Sequence, residues 1–147
     1  MMLRIFPFAL LLFLLLGCGG GNGRDNSPPS ATGNFSRSEL PFTGGTVQIA
    51  LNLIDPSGIS FAELDISPRP TNFAPIPLNA QGERTLVGTV TISLPLNPSA
   101  TEVVYRVTVR ARDTLGNEGT VEIGTLTVRS PQGNLPPLPD PSGAFSD

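Results

Sequence analysis

The chain has 147 residues, with nine basic and twelve acidic side chains, a formal net charge of −3, one cysteine, and neither histidine nor tryptophan. All nine basic residues are arginine. Without imidazole, and with a single thiol, the usual zinc ligands and the usual base for activating a nucleophile are missing. The mildly acidic balance argues against nucleic acid as a partner, which calls for a basic face.

The N-terminus is the first organised segment. Behind Arg4, residues 5–16 run without a charge and end at the small Gly17. A basic start, an apolar run and a small residue at a cleavage point make an export signal. The run is about a dozen residues, short of the roughly 20 that a helix needs to span a bilayer. Leu15-Leu16-Gly17-Cys18 resembles the lipobox of bacterial lipoproteins. The resemblance implies that Cys18 is a lipid attachment site, that residues 1–17 are a signal peptide removed before it, and that the mature chain has 147 − 17 = 130 residues. Each buried acyl methylene contributes about 0.8 kcal/mol and stable anchoring takes more than one chain, which the family's two or three chains supply. Loss of Arg4 leaves 8 basic against 12 acidic side chains, a net of −4. The expected location is the cell membrane, lipid-anchored and extracytoplasmic. The same resemblance implies that Gly19, rather than Asp, after the cysteine is compatible with the outer membrane if the organism has one.

Residues 18–30, "CGGGNGRDNSPPS", offer nothing to bury and read as a flexible Gly/Pro linker. At 5–6 Å times √n, about 14 residues span roughly 20 Å. Residues 130–147 contain "NLPPLPDPSGAFSD" and read as a Pro-rich, disordered tail, with "PPLPDP" a possible polyproline ligand for a partner groove. The folded domain is expected at residues 31–129.

Within it, period-two alternation dominates. Val47, Ile49, Leu51 and Leu53 share one strand face, as do Leu86, Val90, Ile92 and Leu94 with Gly88 in phase. The clearest case is residues 102–113, where Val103, Tyr105, Val107, Val109 and Ala111 oppose Arg106, Thr108, Arg110 and Arg112. Two strands slip phase. Val121 and Ile123 sit on odd positions but Leu126 and Val128 on even ones, which predicts a β-bulge at Gly124-Thr125. "ISFAELDI" slips between Phe61 and Ala62, so its inward set is one of those two with Leu64 and Ile66. Strands at 34–36, 46–54, 59–67, 72–78, 84–94, 102–113 and 120–129 make seven in about 98 residues, the number of an all-β, seven-stranded immunoglobulin-like antiparallel β-sandwich.

The run from Tyr105 to Asn117, "YRVTVRARDTLGN", resembles the penultimate strand and following turn of bacterial Ig-like and fibronectin type III-like surface modules. "GGTVQIALNLIDPSGI" is similar to their second strand and turn, and "SLPLNPSATEVVY" to a later connection. The resemblance implies that Tyr105 is the corner tyrosine. Val107 stands where antibody domains carry a second cysteine, so no inter-sheet disulfide is expected. It also implies a largely non-catalytic role in display, adhesion or spacing.

Asp55-Pro56-Ser57-Gly58 and the turn from Asp113 to Glu118 are expected at one end of the sandwich. There Asp55, Asp113, Asn117 and Glu118 are calcium candidates, since calcium takes 6 to 8 oxygen ligands. The same residue types also simply make turns, and no metal or cofactor is assigned. Arg106, Arg110 and Arg112 would suit an acidic glycan or a phosphate, or form an ordinary solvated face. Phe42 and Phe73 are the aromatics a glycan could stack on, or core. Paired acids could hydrolyse a glycoside only within a cleft of defined separation, so no catalytic residue is assigned. The expectation is a non-catalytic, membrane-anchored envelope lipoprotein whose Ig-like module binds, spaces or scaffolds, with an unidentified protein or glycan partner. A carbohydrate- or calcium-dependent adhesion module is the alternative, and a small carboxylate-based hydrolase the third.

Overall fold

The computed structural model describes residues 24–134. The expectations about the signal peptide, Cys18, most of the linker and the proline-rich tail lie outside these residues. Eight strands and one 3-10 turn follow in order: β1 Ser30–Phe35, β2 Glu39–Leu40, β3 Gly45–Ile54, β4 Ile59–Ser67, β5 Ile76–Leu78, β6 Thr85–Leu94, β7 Val103–Asp113 and β8 Glu118–Val128, then Pro131–Asn134. They form a three-stranded sheet, β1-β3-β6, and a five-stranded sheet, β2-β8-β7-β4-β5. The class is therefore all-β, with two sheets closing on one core in a sandwich-like fold.

The strands form where side chains alternate. In β3, Val47, Ile49, Leu51 and Leu53 are buried while their neighbours are wet, and in β7 Tyr105, Val107, Val109 and Ala111 do the same. From the facing strands Ile59, Ala62, Leu64, Ile66, Ile92, Leu94, Leu126 and Val128 join them. Removing that apolar surface from water, at about 25 cal/mol per Å², is what holds the two sheets together.

Where seven strands are expected, the described residues form eight. The first strand is longer than residues 34–36, because β1 pairs along its whole length with β3, from Ser30↔Ile54 to Phe35↔Ile49. The extra element, β2, runs parallel to the end of β8 and buries Leu40. The expected strand at 72–78 shrinks to Ile76–Leu78, because the chain turns at Thr71-Asn72, where Asn72 has φ +69°, and Pro75 lacks the N–H a ladder needs. Residues 24–29, read as linker, already touch the fold: Pro29 is buried, and a Cβ on Gly119 would meet the Pro28 ring at 2.9 Å.

Both phase slips are real, each displaced along the chain. Val107 pairs with Gly124 but Thr108 with Glu122, so the extra residue is Ile123, one place before the expected pair. Gly124 has φ +151° and a Cβ there would stand 2.6 Å from the Phe35 ring, so the bulge also seats β1 against β8. In β4 the extra residue is Ser60, not Phe61 or Ala62. Its hydroxyl donates to the Asp113 carbonyl at 2.6 Å, Ala62 turns inward, and Phe61 is left on the outer face.

The far end is closed by Asn97, 4% exposed on the β6–β7 connection. Its amide donates to the carbonyls of Thr101, Val128 and Arg129 at 2.8, 3.3 and 3.2 Å, and its oxygen accepts from the Ser99 N–H at 3.0 Å.

Candidate functional site

β3 runs directly into Asp55 and β7 ends on Asp113, both at the end of the molecule at which β1 begins. At the first turn the Asp55 carboxylate accepts from the Ser57 N–H at 2.8 Å. Gly58 closes that turn at φ +90°, where a Cβ would strike the Gly82 carbonyl at 2.3 Å. At the second turn one Asp113 oxygen accepts from the N–H groups of Leu115 and Asn117 at 2.9 and 2.7 Å, and the other from the Asn117 amide at 2.7 Å. The Thr114 N–H donates to the Gly58 carbonyl at 2.9 Å, fastening the turns to each other.

A third aspartate reaches the same place from the N-terminal segment. Asp25 accepts from the Ser57 hydroxyl at 2.8 Å, and its own carbonyl accepts from the Asn117 amide at 2.9 Å. Carboxylate oxygens of Asp25, Asp55 and Asp113 lie within 4.8 Å of one another. Asp55 and Asp113 are each 1% exposed. The ion pairs among the described residues all lie elsewhere. Burial pushes the Asp113 carboxyl upward, but the Asn117 amide and the backbone N–H groups of Asn117, Leu115 and Gly116 outweigh it and hold it below the usual carboxylate range. Donors aimed at the charged form favour that form.

Of the four calcium candidates, Asp55 and Asp113 come together. Asn117 joins them as a donor, its amide turned to Asp113 and Asp25. Glu118 does not: it sits on the outer face, where it accepts from the Arg110 guanidinium at 2.8 Å. Asp25 takes the place expected of Glu118. Hard oxygens of this kind suit a divalent cation such as calcium, and Asp25, Asp55 and Asp113 are the residues that could hold one. Each carboxylate also carries out a structural task, accepting N–H or O–H donors of the turns around it.

The arginine row on β7 is largely committed. Arg110 bridges Glu63 at 3.3 Å and Glu118 at 2.8 Å, and its guanidinium carbon lies 5.6 Å from the centre of the Phe61 ring. Arg112 lies over the same ring at 5.7 Å. Arg106 is exposed on the same face. The hydrogen bond that Arg110 donates to Glu118, then the charge of Glu118, raises the pKa of Arg110. Of the aromatics considered for glycan stacking, Phe73 packs against the core and Phe42 is 37% exposed beside the far end. No helix among the described residues is long and apolar enough to cross a membrane.

No protein-family model matches the chain, and no curated protein matches it by sequence.

Proposed function

We propose that the chain is a non-catalytic envelope lipoprotein, a single Ig-like module tethered through Cys18 that spaces or presents a binding surface outside the cytoplasmic membrane. The observation that carries this reading is the fastening of residues 25–29 to the aspartate end of the sheets through Asp25, Pro28 and Pro29. Between Cys18 and Arg24 there remain six residue steps. Fully extended they reach about 20 Å, and as a glycine-rich coil they typically span about 13 Å. An anchor at Cys18 would therefore hold the aspartate end towards the lipid and leave the Asn97 end facing outwards. The strand order supports the Ig-like reading, since the chain's first two strands divide between the sheets and β7 sits between β8 and β4. Mass spectrometry of the mature N-terminus tests the anchor. A diacylated Cys18 with residues 1–17 removed is expected, and an unmodified thiol overturns it.

A second reading is favoured by the three clustered carboxylates: a module whose tether end is rigid only with calcium bound. Calorimetric titration of calcium into the chelator-treated protein tests it. Binding that disappears on Asp55→Asn is expected, and no heat at millimolar calcium sinks it.

A further inference from the structure

The inward face of β6 is covered along one half of its length and open along the other. Its inward positions are Leu86, Gly88, Val90, Ile92 and Leu94. Ile92 and Leu94 are buried, at 2% and 3% exposed, while Leu86 and Val90 are only half-buried. Between those two, Gly88 leaves the alternation without a side chain, and a Cβ built on it would meet nothing within 4 Å. Across from it, β5 is three residues long and sets Ile76 and Leu78 against the core.

The result is a slot of about 420 Å³ between the two sheets, opening at the side of the sandwich between β5 and β6. Leu51, which pairs with Gly88, lies at its floor, with Leu86 and Val90 on one wall and Ile76 and Leu78 on the other. The connection from β5 to β6 closes the slot at the aspartate end. There the Gly82 N–H donates to the Ile59 carbonyl and the Ile59 N–H to the Glu83 carbonyl, both at 2.8 Å. From Leu86 to Val90 the slot runs about 13 Å, at roughly 3.3 Å per residue. None of its lining residues is ionisable. The side chains of Thr89 and Thr91 belong to the outer face of the sheet, so Asn79, at the closed end, is the polar side chain that faces it.

We propose that this slot binds the acyl chain of a single-chain lipid with an uncharged head group. The lining selects that occupant. A charged group would find no counter-charge there and would lose its hydration. A peptide carries an N–H and a C=O at nearly every residue, and the slot's side chains offer Asn79 alone. A hydrocarbon chain has no polar group to satisfy, and it bends to follow an irregular aliphatic wall. At about 30 Å³ per small group, the slot takes on the order of ten methylenes in single file, since the sheets stand about 10 Å apart. The polar head lies at the Asn79 end. Gly88 makes the room, because any larger side chain in that phase would fill the slot from within. The site rests on the fold alone, whereas its supply of lipid rests on the tether reading, in which an anchor at Cys18 holds the half of the sandwich where β6 begins towards the membrane.

Photolabelling of the full chain in phosphatidylcholine vesicles tests this. The probe is a monoacylglycerol with a diazirine midway along its chain, and mass spectra of the digested protein locate the adducts. Labelling is expected to concentrate on Ile76, Leu78 and residues 86–90, and to fall when unlabelled monoacylglycerol is added in excess. Gly88→Leu should cut it about tenfold, since a filled slot leaves the chain no room, with the melting temperature unchanged or raised. Gly88→Val, which fills less, should cut it less. Ala50→Leu sets the same side chain on the outer face of the neighbouring strand and should leave the labelling as it is. The same spectra read Cys18. A labelled slot with an unmodified thiol overturns the anchor alone, and an acylated Cys18 with an unlabelled slot overturns the site alone. The site is also overturned if both Gly88 variants keep the label, if Ala50→Leu removes it equally, or if the excess of unlabelled lipid does not compete.

Discussion

The two sheets share one core but treat water in opposite ways. The outer face of the five-stranded sheet carries Phe61, Glu63, Asp65, Arg106, Arg110, Arg112, Glu118 and Glu122, and its edges are strands of two and three residues. The three-stranded sheet shows only Ser, Thr, Asn, Gln, Ala, Val and Ile outward, and ends on ten unblunted residues of β6. The charged face is internally matched, with Arg110 between two glutamates and both Arg110 and Arg112 over Phe61. Cross-strand pairs of this kind fix register and solubility. The neutral face has no such pairs, so whatever specificity it has must come from backbone and shape.

Breaking the joint between the sheets should have the largest effect. Gly124→Val would drive a side chain into the Phe35 ring of β1 from a backbone at φ +151°, and overpacking with backbone strain should cost about 2–4 kcal/mol in a denaturant titration. Asn97→Ala removes the donor that ties the connection from β6 to the last carbonyls of β8. Leaving buried acceptors unmet should cost about 2 kcal/mol by the same measurement.

Within the charged sheet the effects are smaller and depend on solution conditions. The folded pKa of Asp113 lies below the ordinary 3.8, so its contribution to stability is complete above that value and is lost as pH falls through the lower, folded one. Melting temperature should therefore drop below about pH 4, and Asp113→Asn should flatten this acid limb. The same variant should be less stable at neutral pH, because its new amide would face the Asn117 amide, donor against donor. Arg110→Ala should cost little, since half-exposed ion pairs contribute little, and the difference should shrink further in high salt. On the neutral sheet Val87→Thr should stay within about 0.5 kcal/mol of the parent, because its side chain packs against nothing that must be replaced.

Much of the sandwich is legible in the residues. β3 and β7 follow from alternation, since one apolar face per strand is enough to fix which side is core. Even the bulge in β8 is visible as a change of phase, although its position slips by one because sequence marks the parity and not the partner. Asp25 is a different case. It lies in a polar, glycine-flanked stretch with no periodicity, and its contacts are 32 and 92 residues away. Glu118 misleads for the complementary reason: it follows Asn117 directly, but β8 begins at Glu118 and sets its side chain on the outer face against Arg110.

The sequence by itself determined the all-β class, the inward set of the main strands and the two phase slips, because these depend on a period of two and on burying apolar surface. Only the tertiary structure decided that three aspartates meet at one end, that Arg110 is already engaged by Glu63 and Glu118, and that β6 is an open edge. Those are properties of pairing between segments far apart in the chain. No local pattern records which strand has a neighbour on one side only.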